Sequence, residues 1–204
     1  MERERRFYDT EIRSIEGDGE DLVIGGLAIT FENPTNLGPY IEVISRDAAK
    51  DCLPRTDIVC LLNHNSDKPM ARESNKTLSI TEDEQGVSFK AILNNTSYSK
   101  DCYEAVKRAD IKSCSFQFSV DEDGEEWSTN SEGIPVRRIN RFSGLFDVSP
   151  VTFPAYESTN VSTRSKDIAD ELKRKENAPE PSTPAGDVIG EIDDLKLDID
   201  LAFI

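Results

Sequence analysis

Apolar and polar residues alternate with a period of two along most of the first three-quarters of the chain, the pattern of half-buried strands. Residues 22–31 form an apolar run broken by Gly25 and Gly26, which predicts a strand with a bulge or bend. Pro34 and Gly38-Pro39 mark a loop, and residues 40–44 make a short alternating strand. Residues 45–50 read as a capped helical turn, and residues 57–62 as a buried strand. Two apolar-alternating runs, 77–81 and 87–93, flank the polar residues 82–86, a strong hairpin signal. Residues 99–108 fit a helix with Cys102, Tyr103 and Val106 on one face. Further strands are predicted over 114–120, 134–139 and 144–148, with an acidic loop over 121–133 that carries six acids and no base.

The character changes after Arg164. Residues 165–176 are a charged helical stretch, and 177–186 a Pro/Ser/Thr/Gly linker that needs no structure. In residues 187–204, Val188, Ile192, Leu195 and Ile199 recur at spacings of four, three and four, one helical face. A helix this short is marginal alone in water. The expected organisation is therefore a β-rich domain over 1–164, its core beginning near residue 7. A charged helix, linker and acidic amphipathic tail follow over 165–204.

A chain of 204 residues has room for one domain and an appendage. The net charge of −16, with no basic stripe, argues against a general nucleic-acid binder or a partner on an anionic membrane. No apolar run approaches the roughly 20 residues that cross a bilayer. The basic N-terminus has no apolar core behind it, so it does not read as a secretory signal. Four cysteines (Cys52, Cys60, Cys102, Cys114) lack a CxxC pair, and with one histidine a structural zinc site would need an unusual ligand set. Reduced thiols in a cytosol fit this usage. No cofactor or metal is expected.

Candidate chemistry centres on that single histidine, His64, in Asn63-His64-Asn65 at the end of an apolar strand. It is the one side chain here whose unperturbed pKa suits proton transfer near neutrality. In residues 113–119 the serines and Gln117 share one strand face while Cys114, Phe116 and Phe118 share the other. Ser115 thus projects from a rigid strand on what reads as the solvated face. A serine nucleophile needs a base, and that base needs a third group to fix its tautomer. Asp147, a charge inside an otherwise apolar strand, is the best candidate, with Asp57 and Asp67 open alternatives. Patterning permits such a site and does not require it.

These stretches together resemble the prohead proteases of tailed bacteriophages, serine proteases related in fold to the herpesvirus assemblins. The similarity is carried by Leu61-Leu62-Asn63-His64-Asn65, by Ser115-Phe116-Gln117-Phe118, and by Asp147-Val148-Ser149-Pro150-Val151-Thr152-Phe153-Pro154-Ala155-Tyr156. It extends over roughly residues 7–164. The resemblance implies a mainly β, α+β fold, an assemblin-like closed β-barrel surrounded by helices. It implies His64, Ser115 and Asp147 as catalytic residues. It does not assign the oxyanion donors, since Ser113-Cys114 and Gln117 stand where the family often has small residues; backbone N–H groups, Arg137 or Arg138 are the candidates. Cys114 beside the nucleophile would turn to the core and be inert. The implied substrates are the scaffold protein or the scaffold-like arm of the major capsid protein, and the protease itself. The implied setting is the assembling procapsid in the host bacterial cytoplasm. The alternative reading is an assembly factor that kept the fold and lost catalysis.

Overall fold

The computed structural model describes residues 3–8, 11–17, 19–153 and 163–176. The linker and tail over 177–204 and the Pro154-Ala155-Tyr156 end of the motif lie outside the described residues. In chain order the strands are β1 (Glu4–Tyr8), β2 (Ile12–Ile15), β3 (Val23–Thr30), β4 (Thr35–Asn36), β5 (Ile41–Ile44), β6 (Val59–Leu61), β7 (Pro69–Arg72), β8 (Leu78–Glu82) and β9 (Gly86–Ile92). Helix α1 (Ser97–Lys107) comes next. It is followed by β10 (Ser113–Ser119), β11 (Glu125–Thr129), β12 (Pro135–Ile139), β13 (Gly144–Val151) and α2 (Thr163–Glu176).

They form three sheets, ordered β1-β10-β13-β6-β7, β11-β12-β5-β4 and β2-β3-β9-β8. The protein is mainly β with two helices among the described residues. The closed barrel expected from the resemblance is not formed. A barrel needs a ladder continuous around its circumference. Here the sheets meet at corners through isolated backbone bonds, such as Ile12 N–H to the Lys112 carbonyl (3.0 Å) and Asn94 N–H to the Met70 carbonyl (2.9 Å).

The predicted hairpin is β8–β9. Its tip is an Asx turn in which Asp83 Oδ1 accepts the N–H groups of Gln85 (2.8 Å) and Gly86 (3.2 Å). The bulge expected in β3 falls just past the glycine pair, between Leu27 and Ile29. Gly26 is required by close approach, since a Cβ there would lie 2.4 Å from the Glu11 carbonyl just before β2. Helix α1 buries Ser99, Cys102 and Val106 along one face. Two expectations fail locally. Residues 45–50 are a series of turns rather than a helical turn, because Asp47 takes a left-handed φ of 60°. The acidic loop over 121–133 contains β11, which pairs with β12 along its whole length.

Sequence alternation also hid the first strand. The core was expected to begin near residue 7, yet β1 pairs with β10 and buries Glu4 and Arg6. Their partners come from the second sheet. Arg6 bonds Glu42 of β5 through Nε (2.6 Å) and Nη2 (2.7 Å). Arg137 of β12 reaches Glu4 (2.8 Å), Glu42 (3.0 Å) and Glu125 of β11 (2.6 Å). Arg164, in the first turn of α2, adds a bond to Glu125 (2.8 Å). Three carboxylates and three guanidiniums thus balance in one cluster, which is what makes buried charge tolerable. The same helix buries Ser165 and Ala169, the latter packed with Tyr40 and Trp127.

Candidate active site

Register brings the site together. β10 lies between β1 and β13, and Ser115 faces Phe7 on one side and Ser149 on the other. Cross-strand partners share a face, so Ser113, Ser115, Gln117, Asp147 and Ser149 project from one face of the sheet. Cys114, Phe116 and Val148 project from the other, into the core. Asp147 is on the first face because of a bulge. Gln117 opposes Asp147 but Phe118 opposes Leu145, so Phe146 is the extra residue. A regular strand would place Asp147 on the same face as Leu145, in the core. β6 runs parallel beside β13, pairing Val59 with Asp147 and Cys60 with Val148. Past Leu61 it breaks into a 3-10 turn, Leu62–His64, that carries the imidazole over Asp147.

The result is one hydrogen-bonded line. His64 Nδ1 lies 2.6 Å from Asp147 Oδ1, and His64 Nε2 lies 2.6 Å from Ser115 Oγ. A carboxylate only accepts, so Nδ1 carries the proton and Nε2 offers its lone pair to the serine hydroxyl. Ser149 Oγ donates a second bond to Asp147 Oδ1 (2.7 Å), fixing the carboxylate from below. Ser115 Oγ has another acceptor within reach, the Arg6 carbonyl of β1 at 2.9 Å. The three side chains are nearly covered, with Ser115 at 6%, the His64 side chain at 9% and the Asp147 side chain at 5% exposure. Low exposure strengthens charge-assisted bonds of this kind.

The alternative acids are elsewhere. Asp57 bonds Arg72 Nε (2.7 Å) and the Ser74 N–H (3.1 Å), and the Arg72 bond holds its carboxyl below the usual range. Asp67 is exposed on the far side of the Asn65 turn, where its N–H is capped by Asn65 Oδ1. A hydroxyl, an imidazole and a carboxylate in line are the set that can take a proton from a serine and return it to a leaving group.

The sequence model of the Caudovirus prohead serine proteases matches residues 8–174. The chain belongs to that family. It is a serine protease, related to those of phage capsid maturation. No curated protein matches the chain in sequence. Among solved structures, the bacteriophage T4 capsid assembly protease is similar over 74% of this chain and 98% of that one. With 13% identity and a TM-score of 0.47, that likeness is too distant to bear on the site.

In this prohead protease the two arginines considered for the oxyanion are committed elsewhere. Arg137 is buried in the ion cluster on the core side of β1, where Arg6 lies over the Phe118 ring. Arg138 bonds Glu32 (2.9 Å) and Ser45 Oγ (3.1 Å). The four cysteines are free and buried. Burial pushes the Cys114 and Cys60 thiols well above their usual range, so both are poor nucleophiles. Among the described residues no cluster of three His, Cys, Asp or Glu side chains is arranged to hold a metal, and no helix is long and apolar enough to cross a membrane.

The face carrying Ser115, expected to be solvated, is covered. Ser113, Ser115 and Ser119 are all buried. Alternation reports which residues share a face, not whether other elements cover it. Ser149, Asn63 and the Arg6 carbonyl also border the site and were not among the expected residues. Asn63 adjoins His64 and Ser149 lies two residues past Asp147 in the motifs, which was the available signal. A backbone carbonyl leaves none.

Proposed function

We propose that Ser115 is the nucleophile, His64 the general base and acid, and Asp147 the group that orients His64. The single observation that supports this is the continuous Ser115–His64–Asp147 hydrogen-bonded line. Ser115 Oγ attacks the scissile carbonyl carbon as its proton passes to His64 Nε2, and Asp147 steadies the imidazolium. Collapse of the tetrahedral adduct breaks the C–N bond, and His64 gives the proton to the departing amine. A water molecule then repeats the sequence on the acyl-serine, releasing the new carboxyl end and the free serine.

The proposed substrates are the scaffold protein or the scaffold-like arm of the major capsid protein, and the chain itself. The proposed place is the interior of the assembling procapsid in the bacterial cytoplasm. The division near Arg164 belongs to the same proposal: a protease domain before it, a helix and acidic tail after it. Co-expression with the neighbouring capsid or scaffold protein tests the reading, wild type beside Ser115→Ala, by intact mass. Processing that disappears in Ser115→Ala is expected. Identical masses with co-assembly preserved would leave a non-catalytic assembly factor instead.

A further inference from the structure

We infer that Asn63 is a positioning residue for His64, acting through a two-point clamp on Thr152; this rests on the proposed role of His64. The β6–β13 ladder ends at the pair Cys60–Val148, so the following turn has no backbone ladder to β13. Asn63 restores the connection. Its Oδ1 accepts the Thr152 N–H (3.0 Å) and its Nδ2 donates to Thr152 Oγ1 (3.4 Å). Thr152 directly follows the last residue of β13, the strand that carries Asp147. The clamp therefore closes a ring: Asp147, along β13 to Thr152, across to Asn63, on to His64, and back to Asp147.

The turn needs such a hold. Asn63 has φ 53° and ψ 37°, and His64 follows with φ 57°. Two consecutive non-glycine residues in the left-handed region are strained and persist only where the surroundings over-determine them. Apart from the His64 side chain's own bonds to Asp147 and Ser115, the other bonds of this segment are internal: Asn65 N–H to the Leu62 carbonyl (3.0 Å), Lys68 N–H to the Asn65 carbonyl (2.9 Å), and Leu62 N–H to the Lys68 carbonyl (3.3 Å). They shape the turn without attaching it to β13. Asparagine suits the position twice, since it tolerates the left-handed backbone and its amide spans to Thr152. If only the backbone mattered, glycine would serve as well.

That contrast is the test. The full chain is treated with diisopropyl fluorophosphate in excess and labelling at Ser115 is followed by intact mass. In that reaction an O–P bond forms at Ser115 and the P–F bond breaks. Fluoride leaves and the hydroxyl proton passes to His64, so the rate reads serine activation without a known peptide substrate. Asn63→Gly keeps the backbone and removes the clamp. It is expected to label roughly 10- to 100-fold more slowly, as misplacement of a reacting group by about 1 Å costs on that order, with little change in melting temperature. Asn63→Asp keeps the acceptor for the Thr152 N–H, and Thr152 Oγ1 can turn to donate; it is expected within about threefold of wild type. Labelling of Asn63→Gly within twofold of wild type overturns the clamp, as does an Asn63→Asp as slow as Asn63→Gly. The wild type offers a reading that needs no variant folding. The Thr152 amide, on an exposed residue, should exchange slowly with deuterium, and exchange at a free-amide rate overturns the proposal. Wild type that fails to label at Ser115, with Ser115→Ala as control, would reject the role of Ser115 itself and take the clamp with it.

Discussion

Asp147 shows how much one residue's placement depends on its neighbours. Its carboxylate accepts from His64 and from Ser149 at the same oxygen, and it reaches the site because Phe146 is bulged out before it. On the proposed roles, Ser115→Ala and His64→Ala should each lower kcat by on the order of 10⁵–10⁶, leaving residual turnover from binding alone. Asp147→Asn should cost roughly 10⁴, because an amide can present its N–H to Nδ1 and select the wrong tautomer. Single-turnover cleavage of a processed substrate measures all three. The identities of His64, Ser115 and Asp147 were open to reading because few side chains can do acid–base or nucleophilic work and this chain has one histidine. Their proximity was not, since it depends on the register of four strands and on a bulge that no composition rule announces.

At the scale of elements, strands betray their inward residues by phase, and Arg137 is the instructive case. In β12 the buried positions are Pro135, Arg137 and Ile139, so a guanidinium occupies an apolar phase. That was visible in the sequence as a charge out of pattern, but its partners Glu4, Glu42 and Glu125 come from three other strands and could not be assigned. Arg137→Met should destabilise the fold by about 3–5 kcal/mol, the cost of stranding buried carboxylates, read from the midpoint of urea unfolding. The hairpin β8–β9 was legible because an Asx turn is local chemistry. Whether the sheets close into a barrel was not legible, because closure depends on strand edges that lie far apart in sequence. Gly26→Val should also cost at least ~1–3 kcal/mol, since its side chain would drive into the Glu11 carbonyl.

For the whole molecule, the ion cluster joins two sheets and α2 and sets the response to acid. Burial alone would raise the Glu4 carboxyl, but the Arg137 hydrogen bond and the charges of Arg6 and Arg137 outweigh it and hold it below its ordinary 4.5. A carboxyl lowered in the folded state stabilises the protein above its unfolded value, and that contribution is lost as pH falls through the folded one. Glu73 and Glu82, raised mainly by burial, act in the opposite sense. Glu4→Gln separates the two: it should be less stable than wild type at pH 6 and lose less further stability between pH 5 and 3. Chemical denaturation at each pH measures the difference, and parallel losses in both proteins would exclude Glu4 as the source.

The flanking of β10 by β1 and β13 has a consequence for how a polypeptide can be cut. Both hydrogen-bonding edges of the strand that carries Ser115 are already spoken for. An incoming chain cannot dock as another rung beside the serine, as it does in proteases that read an extended backbone alongside the nucleophile. Generic main-chain pairing with β10 is then unavailable as a source of affinity. On the proposed role of Ser115, main-chain pairing is left to the sheet's end strands, β1 and β7, so merely being extended gives a chain no foothold beside the serine itself.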